Sequence, residues 1–176
     1  MYEEIISAGV GGQGVLFVGQ LLAYTALAEG KHVTWIPSYG PEMRGGTANC
    51  TVVIADEVIG SPVSQYPGIA VVFNNPSFEK YEPAVRPGGL LVVNQSLVMH
   101  ESSRADIDVA PVPATELATE LGETRVANLI LLGALLARRP IVAPATVEQV
   151  LVEKLGARKA HLHEINLRAF ARGLAL

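Results

Sequence analysis

Residues 3–36 read EEIISAGVGGQGVLFVGQLLAYTALAEGKHVTWI, and this stretch decides the fold. A short β-type run, EEIISAG, enters a glycine cluster, and an apolar segment of helix length follows from about Val15 to Glu29. Gly30 then stands where a helix C′ glycine belongs, and HVTWI resumes the β pattern. Strand, helix and strand in that order make a βαβ unit. The right-handed crossover rule predicts HVTWI beside the first strand in a parallel sheet.

The pattern continues outward from this unit. A turn-rich loop, PSYGPEMRGG at 37–46, precedes the long β-branched run TANCTVVIA at 47–55, and a Gly, Ser and Pro-bearing stretch runs from Gly60 to Gly68. IAVVF at 69–73 reads as a strand ending at Asn74, Asn75 and Pro76, and SFEKYEPAVRP as one or two short helical turns. GGLLVVN at 88–94 has the continuous apolar character of a strand covered on both faces. One further strand is expected in IDVAPVP at 107–113. After it come PATELATELG, a stronger helix from about Thr124 to Arg138 ended by Pro140, and two amphipathic helices in PATVEQVLVEKLG and KAHLHEINLRAFARGLAL. Strands alternating with helices predict a three-layer α/β/α fold with a mostly parallel, Rossmann-like sheet. In such sheets ligands bind beyond the carboxyl ends of the strands.

Composition narrows the class. The 176 residues, 49% of them hydrophobic, suffice for one buried core and fall short of two ordinary domains. A formal net charge of -4 lacks the basic excess that nucleic acid or an anionic membrane attracts, so neither is expected as a partner. The single cysteine, Cys50, excludes an internal disulfide, and MYEEIIS carries acids where a signal peptide carries bases, so a cytoplasmic location is expected. The longest apolar stretches, such as LILLGALLA at 129–137, are about half of the roughly 20 residues that span a bilayer.

The glycine cluster Gly9-Val10-Gly11-Gly12-Gln13-Gly14 fits G-x-G-x-x-G through Gly9, Gly11 and Gly14, between a strand and a helix. Such glycines permit a tight turn, a close backbone approach to phosphate, and helix packing on the strand, while the helix N-terminus favours an anion. The alternative is that they serve packing alone. A dinucleotide site also places an Asp or Glu at the end of the second strand. Here that place reads Trp35-Ile36-Pro37-Ser38, which argues against NAD. The second loop, Ser38-Tyr39-Gly40-Pro41-Glu42-Met43-Arg44-Gly45-Gly46, falls on the same rim. Its guanidinium, carboxylate, hydroxyl and phenol suit a phosphate or carboxylate ligand, or else make a solvated turn with a Glu42–Arg44 ion pair.

GVGGQGV followed by PSYGPEMRGG and a β-run resembles the gamma subunit of the 2-oxoacid:ferredoxin oxidoreductases. The likeness extends more loosely through Asn74-Asn75-Pro76, the VVN run ending at Asn94, and the VANLILLGALL helix around Asn128. By SYGPE and RGG, the 2-oxoglutarate type is similar first and the branched-chain type second. The resemblance implies one gamma-type domain over residues 1–176, an accessory part of a complex with alpha, beta and delta-type subunits that delivers electrons to ferredoxin. It implies oxidative decarboxylation of a 2-oxoacid to its acyl-CoA, using thiamine diphosphate, Mg and [4Fe-4S] clusters in partner subunits. One cysteine cannot supply the four thiolates of a cluster.

For this chain the resemblance implies help in closing the active site and in binding coenzyme A. The candidate contacts are Gly9, Gly11, Gly12, Gln13, Gly14, Ser38, Tyr39, Gly40, Glu42, Arg44, Gly45 and Gly46, with Asn74 and Asn94 secondary. Asn74, Asn75 and Asn94 end strands, where they either satisfy turn backbone or face the cleft. No catalytic or metal-ligating residue is assigned. Cys50 reads as a core residue, and His161 and His163, two apart on a helix, as solvated. The competing readings are a free-standing Rossmann-type dinucleotide enzyme and a nucleotide-binding regulatory module.

Overall fold

The computed structural model describes residues 1–40 and 46–176. Strand β1 (Tyr2–Val10) leads through the glycine loop into α1 (Val15–Ala28), and β2 (His32–Tyr39) follows. The exit from α1 is a Schellman turn: the N–H of Gly30 donates to the carbonyl of Leu27, and that of Lys31 to the carbonyl of Ala26, both at 3.0 Å. Then come β3 (Thr47–Ala55), β4 (Ile69–Val72), α2 (Asn75–Tyr81), β5 (Leu90–Asn94), β6 (Asp108–Val112) and α3 (Ala114–Glu120). A 3-10 turn at Thr124–Val126 opens α4 (Ala127–Arg138), so the helix expected from Thr124 begins one turn late. Helix α5 (Pro144–Leu155), a second 3-10 turn (Ala157–Leu162) and α6 (His163–Leu174) close the chain.

The six strands lie in the order β2-β3-β1-β4-β5-β6. β1, β4, β5 and β6 pair in parallel, whereas β3 runs antiparallel between β1 and β2. The sheet is mostly parallel, as expected, but HVTWI does not neighbour the first strand. β3 separates them, with Ser7 opposite Cys50 and Pro37 also opposite Cys50. The physical reason is connection length. From Tyr39 to Thr47 there is room for a hairpin link, and a parallel return needs a crossover of a dozen residues or more.

The inner strands read as apolar runs because both faces are covered. Ile69, Val71, Leu90 and Val92 enter the core under α1, α4 and α5, while Ala70, Val72, Leu91 and Val93 pack with Phe78 and Tyr81 of α2 on the other face. α6 lies outside α4, and their crossing is close. A Cβ on Gly133 or Gly173 would collide with backbone of the opposing helix. Glu3, at the start of β1, is 6% exposed. It is held by Arg86 at 2.6 Å and by Arg139 at 3.4 Å.

The connections after β1 and β4 leave the sheet on opposite faces. α1 joins the larger core and α2 the smaller one, although β1 and β4 are neighbours. That reversal opens a crevice at the carboxyl ends of these strands, where ligands of doubly wound sheets bind.

Candidate functional site at the carboxyl rim of the sheet

The glycine loop sits on this crevice. Gly9 is buried at the end of β1, where a Cβ would lie 2.8 Å from the Cβ of Phe73, the residue after β4, so the close approach of the two strand ends requires glycine. The Gln13 side chain folds back and its Oε1 accepts from the Val10 N–H at 2.9 Å. The N–H of Gly11 donates to the carbonyl of Gly46 at 2.9 Å, which ties the glycine loop to the β2–β3 connection. Both loops therefore share one rim, as the sequence predicts. Gly12 (φ 97°) and Gly14 (φ 75°) adopt left-handed backbone that disfavours a side chain.

Gly14 caps α1 without a side-chain acceptor. The first-turn amides of Val15, Leu16 and Phe17 have no carbonyl a turn earlier to receive them. They point outward with the positive end of the helix dipole, which favours an anion. The loop is braced from below: Ser7 Oγ donates to the carbonyl of Val15 at 3.1 Å, and Asn128 Nδ2 to that of Gly14 at 3.3 Å. Asn128 is thus a buried, hydrogen-bonded residue.

Two cavities flank the loop. One, of about 340 Å³, lies on the β2–β3 side between Gly11, Gly12, Phe17, Tyr39 and Thr47. The other, of about 200 Å³, lies beyond β4, β5 and β6 between Gly12, Gln13, Phe73, Asn94, Thr115 and Arg125. Gly12 lines both, so the crest of the loop is their common wall.

The predicted residues distribute unequally over this rim. Gly9, Gly11, Gly12, Gln13 and Gly14 build the loop. Tyr39 reaches the larger cavity, and Gly40 pairs with Thr47 at the mouth of the hairpin, its N–H on the Thr47 carbonyl at 2.8 Å. Ser38 is exposed, and alternation along β2 puts it on the face opposite Trp35 and Tyr39, away from that cavity. Asn74 caps α2, its Oδ1 accepting from the Ser77 N–H at 3.1 Å. Asn75 Oδ1 accepts from the Met99 N–H at 2.8 Å. These two satisfy turn backbone. Asn94 instead lines the smaller cavity, 1% exposed. Its Nδ2 donates to Thr115 Oγ1 at 3.0 Å and its Oδ1 has no partner among the described residues. Glu42, Arg44 and Gly45 lie outside the described residues.

Thr115 and Arg125 line the smaller cavity and escaped sequence reasoning. Arg125 is gripped by Glu123, with Nε and Nη2 donating to the carboxylate at 3.0 and 2.7 Å. That grip holds the Glu123 carboxyl down at about 2. The GETR wording before a helix was the available signal.

Cys50 is fully buried, and burial pushes its thiol up to about 11, which makes it a core residue as expected. His161 is exposed, and His163 turns its ring to the Gly156 carbonyl at 3.2 Å. Among the described residues, no three His, Cys, Asp or Glu side chains group as a metal ion requires, and no helix is long and apolar enough to cross a membrane. The rim offers donors, a dipole and shaped space, which are means of binding.

Comparison with known proteins agrees with this architecture. The chain is 45% identical over 130 residues to the ketoisovalerate oxidoreductase subunit VorA of Methanothermobacter marburgensis, covering 74% of this chain and 27% of that one. The chain thus spans about a quarter of that relative's length. It is 34% identical over 176 residues to the 2-oxoglutarate synthase subunit KorC of Methanocaldococcus jannaschii, covering 98% of this chain and 92% of the relative. The gamma subunit of a keto/oxoacid ferredoxin oxidoreductase from Geobacter sulfurreducens superposes with a TM-score of 0.83 at 27% identity, over 98% and 96% of the two chains. A 2-oxoglutarate:ferredoxin oxidoreductase from Magnetococcus marinus, solved with 2-oxoglutarate, coenzyme A and succinyl-CoA bound, superposes with a TM-score of 0.90 at 25% identity. Its match covers 99% of this chain and 30% of that one. With a sequence model of the pyruvate ferredoxin/flavodoxin oxidoreductase family matching residues 4–176, the chain belongs to that family.

Proposed function

We propose that residues 1–176 act as one gamma-type domain, a non-autonomous part of a 2-oxoacid:ferredoxin oxidoreductase. The observation that carries this reading is a fold shared with a gamma subunit over nearly the whole chain. Its one cysteine is buried, so the chain has no thiolates to hold an iron–sulfur cluster. Among the described residues no three His, Cys, Asp or Glu side chains group as a metal ion requires. Cluster and thiamine chemistry therefore belong to alpha, beta and delta-type partners, and electrons leave to ferredoxin through them.

Coenzyme A fits the residues of the rim. The first-turn amides of α1 and the glycine crest suit its phosphates, and Tyr39 and Thr47 border the space beside them. When bound, coenzyme A supplies the thiol that accepts the acyl group. This chain's own part is to orient it and to help shut the active site from water.

The substrate we favour is 2-oxoglutarate, supported by a 2-oxoglutarate synthase relative that this chain matches over almost its full length. A branched-chain 2-oxoacid is the second reading, favoured by the higher identity to the ketoisovalerate subunit over a shorter span. Steady-state reduction of methyl viologen by the assembled complex separates them. The proposal expects kcat/KM for 2-oxoglutarate to exceed that for 2-oxoisovalerate, with turnover dependent on coenzyme A. The reverse preference would select the branched-chain reading, and no activity with any 2-oxoacid would end both.

A further inference from the structure

We infer that the outer edge of β2, with the apolar groove beside it, is the surface on which a second copy of this chain docks. The two β2 strands pair antiparallel about a two-fold axis at Thr34. This contact is independent of the coenzyme role.

The hairpin ladder decides what the edge offers. β2 ends the sheet, and among the described residues nothing pairs with its outer side. One step beyond the Tyr39–Ala48 pair, the N–H of Gly40 donates to the Thr47 carbonyl at 2.8 Å. The even-numbered residues of β2 therefore bond to β3, and the odd-numbered ones turn their backbone outward. Pro37 is odd-numbered, so its missing N–H costs the ladder nothing. Val33 and Trp35 are left with outward donors and acceptors.

Edges of this kind are usually defended by charge or proline. β6, at the far side of the sheet, is five residues long, turns Pro111 outward and opens with Asp108 paired to Arg138. β2 reads HVTWIPSY, with no Asp, Glu, Lys or Arg, and its proline falls after the open donors. Beside it a groove of about 200 Å³ runs between α1 and the strand, lined by Gln20, Ala23, Tyr24, Leu27, Val33 and Trp35. Tyr24 is 40% and Leu27 53% exposed. An apolar stripe of helix flanking open strand backbone is the arrangement that accepts an added strand.

Self-complementarity names the occupant. In a two-fold contact each residue near the axis meets its own copy, so a charge there repels, and neither groove nor strand carries an Asp, Glu, Lys or Arg. With Thr34 on the axis, Val33 of one copy stands opposite Trp35 of the other, and the two exchange both backbone hydrogen bonds. Pro37 then falls opposite Lys31, whose N–H is already committed to the Ala26 carbonyl, so that pair leaves no donor unused. An axis at Trp35 would instead set Val33 against the proline, which returns no donor. Thr34 meets its copy in a close pair without backbone bonds. Its Oγ1, buried with no partner among the described residues, gains one across the axis.

Sedimentation equilibrium of the purified chain, with amide hydrogen exchange resolved by NMR, tests the contact. The expected result is a reversible dimer of twice 18.6 kDa, in which the Val33 and Trp35 amides exchange as slowly as those of Thr34 and Ile36. Thr34→Lys should give a monomer in which protection is lost at Val33 and Trp35 alone. Leu27→Arg, at an exposed position, should do the same with an unchanged melting temperature, and it decides the matter if Thr34→Lys does not fold. A chain that stays monomeric, or a dimer that survives Leu27→Arg with both amides still protected, would overturn the contact. Protection of the two amides only in the assembled oxidoreductase would give the edge to a different subunit and overturn it as well.

Discussion

The side-chain amide of Asn128, near the start of α4, donates to the carbonyl of Gly14, the N-cap of α1, at 3.3 Å across 114 residues of sequence. Two helix N-termini are thereby locked together beneath the glycine loop. A Cβ on Gly14 would collide with that same amide, at a left-handed φ of 75°. Gly14→Ala is expected to cost about 2 kcal/mol in urea unfolding, from strain and from collision together. Adding Asn128→Ala should recover the collision and leave the strain, so the double variant will be less destabilised than the sum of the singles.

Where α4 and α6 cross, the two backbones leave no room for a side chain. Gly173 faces the carbonyl region of Ile130, and Gly133 faces backbone at Phe170 and Gly173. Backbone cannot yield as a flexible side chain can. Gly173→Ala should therefore lower stability by about 1–3 kcal/mol, read as a shift in denaturation midpoint. An unchanged midpoint would show that α6 is free to move outward.

The Glu3 carboxylate, 6% exposed and shared between Arg86 and Arg139, ties β1 to the segments before β5 and after α4. Glu3→Gln keeps the shape and removes the charge. The arginines, each about a third exposed, can then turn to water, so the expected loss is about 1–3 kcal/mol in chemical denaturation.

Cys50 gives a prediction in pH. Burial raises its thiol from an ordinary 9.0 to about 11, so the fold favours the neutral form. That contribution is fully present below about pH 9 and is lost as pH rises toward 11. A Cys50→Ala variant should show a shallower fall in melting temperature across this window than the parent. At pH 8 the native thiol should resist a disulfide reagent until the protein is unfolded.

Much of the architecture was legible because residues 3–36 carry three independent signals: a strand, a glycine turn and a capped helix. Gly30 read as a C′ residue, and its bonds to the end of α1 match. The strand inserted between β1 and β2 was not legible from its own residues. A β-branched run such as TANCTVVIA does not encode direction, and only the length of its connection to β2 does. The rim was legible where glycines marked it. The asparagines were less so, because strand-end Asn serves turns and ligands with one side chain type, and only the partners of Asn74 and Asn94 tell them apart.

Gly12 separates binding from stability. Open space surrounds the position where a side chain would stand, so Gly12→Ala meets only backbone strain, about 1 kcal/mol. Because Gly12 walls both cavities, the same change is expected to raise KM for coenzyme A several-fold with kcat for the 2-oxoacid little altered. Steady-state kinetics of the assembled enzyme would check the split between the two constants.

The most direct test of the account is native affinity purification of this chain from its source cell, with identification of the co-purifying proteins and assay of methyl viologen reduction by 2-oxoacids. Thiamine diphosphate-dependent and cluster-bearing partners should co-purify, with a reduction rate that requires coenzyme A. A chain recovered alone, without such activity and binding an adenine nucleotide by itself, would contradict it and identify a free-standing nucleotide-binding protein.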